Sequence, residues 1–133
     1  MTKMEISWVE MTGTDEEKKW KAACQQVFHG LYQMRFIGHC LDANLEWFAN
    51  EVRLLTTENI RPQESPSMNQ HAFAAGWVRK LSKHQVVKVA YGQLMDQMSK
   101  QNLGRMSLFQ FAFVVAWLQI DDNDHWIDEA WFN

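Results

Sequence analysis

The chain has 133 residues, enough for one domain and too few for two of ordinary size. Hydrophobic residues make up 47% and charged residues 22%, which excludes a disordered or fibrous chain. A formal net charge of −3 and a pI near 5.9 exclude a surface built throughout to hold nucleic acid, and equally a strongly acidic nucleic-acid mimic. Two cysteines, Cys24 and Cys40, are too few for a secreted disulfide framework and predict buried free thiols in a reducing cytoplasm. The first residues hold no apolar signal core, and the longest apolar stretch, 111–118, is far short of the roughly 18 to 20 residues that span a bilayer.

In chain order, residues 1–11 partly alternate Met4, Ile6 and Trp8 with polar neighbours, suggesting a short strand or an extended arm. Four capping boxes then stand before helical stripes: Thr14 to Glu17, Ser67 to Gln70, Ser82 to Gln85 and Ser107 to Gln110. A first helix, 15–34, is predicted from Trp20, Cys24, Val27, Phe28 and Leu31 at helical spacing. A second, 38–57, carries Leu41, Leu45, Phe48, Val52 and Leu55 on one side and Asp42, Glu46, Asn50 and Arg53 on the polar side. A bend at 35–38 would make these two a hairpin with Cys24 facing Cys40; without it they form one long helix. Pro62 and Pro66 mark a loop at 58–66 that divides a front half from a back half.

The back half predicts a third helix at 69–81 on Phe73, Trp77 and Leu81, and a fourth at 83–100 on Val87, Ala90, Tyr91, Leu94 and Met98, as a tight helix-turn-helix pair. A fifth helix, 108–119, is apolar almost all round and is therefore central or self-associating. The closing segment sets Trp126, Ile127, Trp131 and Phe132 among five acidic residues, which fits a short amphipathic helix packed on the body. The expected fold is all-α: one irregular bundle, 1–133, of five main helices plus a short acidic C-terminal helix.

Charge is uneven along this order. Residues 69–105 hold six basic groups and one acidic, for +5, whereas 106–133 hold five acidic groups and no basic one. The basic set is Arg79, Lys80, Lys83, Lys88, Lys100 and Arg105, with His71 and His84 beside it. Either the acidic tail neutralises this set, or both are solvated faces with no partner, or the set meets an acidic partner, a protein patch or a nucleic-acid backbone. Base reading would fall to the start of the fourth helix, His84-Gln85-Val86-Val87, where two polar residues give way to two hydrophobes.

Chemical motifs are few. The chain holds no phosphate-binding glycine loop, no Gly-x-Ser-x-Gly elbow and no His-Glu-x-x-His. Cys24, His29, His39 and Cys40 have zinc-ligand chemistry without zinc-ligand spacing. Asp121, Asp122 and Asp124 lack the glycine and glutamate that complete a calcium loop. No catalytic residue, metal or cofactor is therefore assigned. Arg105-Met-Ser-Leu-Phe109 resembles the Gln-Leu-Ser-Leu-Phe peptide that hooks the bacterial sliding clamp, but Arg105 replaces the Gln, and the helix reading buries Leu108 and Phe109.

Trp77, Leu81-Ser82 with Gln85-Val86, Gly92, Ser107 with Gln110-Phe111, and Trp117 form a series that resembles the core of the phage lambda replication protein P family. Val27-Phe28-x-x-Leu31 with Phe36 resembles an earlier helix of that family. The resemblance covers about half the chain; Met106 stands where the family usually has a Pro, and the interval from Phe28 to Trp77 is longer. It implies binding and loading of a replicative helicase, with no catalytic residue.

The expected function is thus a non-enzymatic protein-interaction factor of phage or mobile-element type, with Arg79, Lys80, Lys83, His84, Lys88, Lys100 and Arg105 as partner-binding residues and self-association open. The alternatives are an inhibitor or immunity-type protein, favoured if Glu46, Trp47 and Glu51 form an exposed acidic and aromatic patch, and a helical module that binds nucleic acid through 69–105.

Overall fold

The computed structural model describes residues 15–37, 41–58 and 76–118, and among these every regular element is helical. Helix α1 spans Asp15–Gln33 and opens on Asp15, Glu16 and Glu17, whose charges suit the positive end of a helix dipole. Its stripe of Trp20, Ala23, Cys24, Val27, Phe28 and Leu31 is fully buried. The helix stops in a Schellman turn: the Phe36 amide donates to Leu31 O, the Arg35 amide donates to Tyr32 O, and Arg35 takes the left-handed conformation, φ 61°.

That turn settles the question of the bend, because α1 ends there and packs against α2, Asp42–Arg53. Helix α2 begins later than its sequence pattern suggested. Leu41, expected on the apolar side, stands in extended conformation as the N-cap with no side-chain cap bond and is 61% exposed. Its carbonyl still accepts from the Asn44 and Leu45 amides. Leu45, Phe48, Val52 and Leu55 are buried as expected, but so are Glu46 and Asn50 from the side assigned to solvent. A helix packed on two neighbours buries more than one stripe. The last turn widens into a π-helix, Leu54–Glu58, where Thr57 Oγ1 donates back to Arg53 O.

Residues 76–81 are helical, and a tight turn at 82–84 leads into α3, Gln85–Lys100. The expected cap at Ser82 is corrected here. Ser82 Oγ donates to Arg79 O at 2.8 Å, and the N-cap is His84, whose Nδ1 accepts from the Val86 amide at 3.2 Å. The turn consumes Ser82 and Lys83, whose amides remain bonded to Val78 O and Lys80 O, so the new helix cannot start before His84. Helix α3 closes in a second Schellman turn with Asn102 at φ 57° and the Leu103 amide donating to Met98 O.

Helix α4, Leu108–Leu118, forms its capping box as the sequence predicts. The Gln110 amide donates to Ser107 Oγ at 3.0 Å and the Ser107 amide donates to Gln110 Oε1 at 2.9 Å. Phe111 through Leu118 are all buried, whereas Phe109, expected inside, is 57% exposed, although Leu108 beside it packs against the core.

One core draws on every described helix. Phe28 meets Phe48, Phe48 meets Phe111 edge-on, Phe111 meets Tyr91, and Trp47 stacks on Trp117 at 6.5 Å between centroids. The Tyr91 hydroxyl donates to Met106 O at 2.7 Å, tying α3 to the approach of α4. The N-terminal arm, Cys40, the loop at 59–66, Phe73, the caps at Thr14 and Ser67, and the acidic C-terminal helix lie outside the described residues.

Candidate partner-binding surface

The predicted partner-binding residues divide into two groups. Arg79, Lys80 and Lys83 are exposed around the 76–84 turn, and Lys88 is exposed one turn into α3. Lys80 stands over the Trp77 ring at 5.0 Å from its centroid, a cation–π contact that fixes its position. His84 is half-buried, capping α3 and meeting Phe36 edge-on at 4.8 Å, so it is part of the scaffold that presents the lysines. Lys100 and Arg105 belong elsewhere: at 1.5 Å per residue, Lys100 is about 18 Å along α3 from Lys88, and it pairs with Asp96 at 3.1 Å.

The group stands in a stretch of one charge sign along the chain. Residues 76–95 contain Arg79, Lys80, Lys83 and Lys88 and no Asp or Glu. Helix α3 has no acidic residue in its first turn, so the positive end of its dipole adds to the same field. The Phe36 to His84 ring contact brings the end of α1, with exposed Arg35, to this turn.

Beside the turn lies a feature that periodicity did not reveal. Helices α1 and α3 run antiparallel and leave an apolar groove of about 370 Å³ lined by Val27, Gly30, Leu31, Met34, Val86, Val89 and Ala90, with Gln33, Gln85 and Gln93 on its rim. A polar extension of about 300 Å³ continues along the same helices past Gln26, Asp96 and Gln97. Met34 is 59% and Val89 48% exposed. The sequence signal was there: Met34 and Val89 fall just outside the core stripes of their helices, where an isolated surface hydrophobe reads as unremarkable.

Other candidates are placed differently. Glu46 and Trp47 are 1% and 3% exposed and Glu51 is half-buried, so they do not form the exposed acidic and aromatic patch that would favour the inhibitor reading. The Glu46 carboxylate pairs with the Lys21 ammonium, and its pKa is raised, first by burial and then by Asp42 and Glu17, with Lys21 opposing. Cys24 is a free thiol at zero exposure, and burial alone pushes its pKa far above the usual thiol range, the opposite of what a nucleophile or metal ligand needs. His29 is half-buried, while His39 and Cys40 lie outside the described residues. Among the described residues no group of three His, Cys, Asp or Glu side chains is placed to hold a metal, and no helix is long and apolar enough to cross a membrane.

The residues that carry the family resemblance serve the fold: Leu81, Phe111 and Trp117 are buried and Ser107 with Gln110 forms a cap. The segment 105–109 is likewise held by its own body, with Met106 4% exposed and bonded to Tyr91, so it is not an extended peptide of the clamp-hook kind. No family model, curated protein or solved structure matches this chain.

Proposed function

We propose that the chain is a non-enzymatic interaction factor, of the phage or mobile-element kind, whose basic turn at 79–88 receives an acidic surface of a partner protein. The observation that carries this is the exposed group of Arg79, Lys80, Lys83 and Lys88 beside an apolar groove. Phosphate binding asks for cations alone, whereas protein recognition combines charge with apolar burial. A bacterial replicative helicase is the partner that the resemblance names, and a free buried Cys24 suits a reducing, cytoplasmic setting.

The test sets protein against nucleic acid. Fluorescence anisotropy with duplex DNA, for the wild type and for the triple variant Lys80→Glu, Lys83→Glu, Lys88→Glu, should show weak binding that falls with a log-log salt slope near −0.9 per phosphate and is gone at physiological salt. Co-elution of the wild type with a purified replicative helicase, lost in the triple variant, is the expected positive result. Tight DNA binding that survives physiological salt and disappears in the triple variant would make the chain a nucleic-acid module instead.

A further inference from the structure

The groove between α1 and α3 has the features of a seat for a helix. Its floor is Val27, Leu31 and Ala90, all buried, and its open lips are Met34 and Val89. Gly30 lies between them in the last turn of α1. Among the described residues a Cβ built on Gly30 meets nothing within 4 Å, so their packing does not require the glycine. Its effect is to deepen the groove. Two antiparallel helices present their side-chain ridges to a third helix laid between them. From the level of Met34 to that of Gln26 the trough runs about 12 Å, some two helical turns.

Charge selects the kind of helix. The groove-lining stretches, residues 26–34 and 85–93, contain Lys88 and no Asp or Glu, and Arg35 and Lys83 stand just beyond them. Arg35 and Lys83 are the chain neighbours of Phe36 and His84, whose rings meet at the upper end, and at the lower end Asp96 is engaged by Lys100. The rim supplies amides from Gln33, Gln85 and Gln93, and the floor is apolar, which suits neither a phosphate backbone nor a basic peptide. We infer that this groove binds an acidic amphipathic helix of a partner protein, with an apolar stripe on Met34, Val86 and Val89 and carboxylates toward Arg35 and Lys83. This deepens the proposed function and rests on it.

The probe is a fluorescein-labelled helical peptide of about 16 residues with a leucine stripe at i, i+3, i+4 and i+7 and glutamates on its flanks. Its controls are a scrambled sequence of the same composition and a version with Lys for Glu. Val89→Glu places a like charge in the groove at a half-exposed site, and Gly30→Leu fills the trough while improving helix propensity, so both variants should keep or raise the thermal midpoint. The acidic peptide is expected to bind the wild type at least about tenfold more tightly than either control, and each groove variant should lose about tenfold or more. Lack of saturable binding up to about 1 mM, equal binding of the scrambled peptide, or undiminished binding by both groove variants would overturn the inference. Loss of peptide binding in the triple turn variant with no change in the groove variants would retain the basic turn as the docking site and reject the groove alone.

Discussion

At the scale of single residues, the chain places a carboxylate where an aliphatic side chain would ordinarily go. Glu46 is buried in α2 against Lys21 of α1, and its second oxygen has no hydrogen-bond partner among the described residues. Because burial raises the folded-state pKa above the unfolded value, the native state holds the proton more firmly than the unfolded chain. Stability from this group is therefore fully present below the unfolded carboxyl pKa and is lost as pH rises through the higher folded value. Glu46→Gln removes the titration, and Lys21, about a third exposed, can turn toward water. Urea midpoints measured from acid to neutral pH should fall less steeply with rising pH in the variant than in the wild type; parallel profiles would show that Glu46 does not carry this dependence. Nothing in the sequence announced the buried acid, since every fourth residue of α2 on that side is polar and a third neighbour is invisible to periodicity.

Elements were legible where a single face is buried. The α1 stripe, the α3 stripe and the Ser107 to Gln110 box of α4 follow directly from local rules. The start of α2, the cap of α3 and the exposed Phe109 did not, because the first two depend on how many residues a turn consumes and the third on which side of a nearly all-apolar helix is left without a neighbour. The strap between α3 and α4 shows the same dependence on tertiary contact. A Cβ on Gly104 would come within 2.5 Å of Thr56 Cγ2, and Thr56 is a stiff β-branched residue in the π-helical turn. Gly104→Ala should thus destabilise the protein by about 1 to 3 kcal/mol, as overpacking does. Thermal unfolding of Gly104→Ala beside the double variant Gly104→Ala, Thr56→Ser, in which the offending methyl is gone, should show recovery in the double variant.

For the whole molecule, the front and back halves that the sequence separates at its proline loop do not form separate cores. Helix α1 packs on α3 and α2 on α4, with Trp47 on Trp117 and Phe48 on Phe111 as the shared aromatic contacts. The candidate surface has the same origin, since α1 supplies one wall of the groove and α3 the other. Sequence reading found the basic turn because charge is a local property, and missed the groove because it exists only between halves. It follows that the covalent link between the halves is thermodynamically secondary to the aromatic layer that joins them. A chain cleaved once within the predicted loop, 59–66, should behave as a pair of complementing fragments, eluting together under native conditions and separating only in denaturant, because the core draws on helices of both halves. Trp47→Ala, which removes one member of the stacked pair at a cost of about 3 to 5 kcal/mol, should turn that cleaved complex into two fragments that part on dilution, so the joint between the halves is also the place where the protein can be made to assemble on demand.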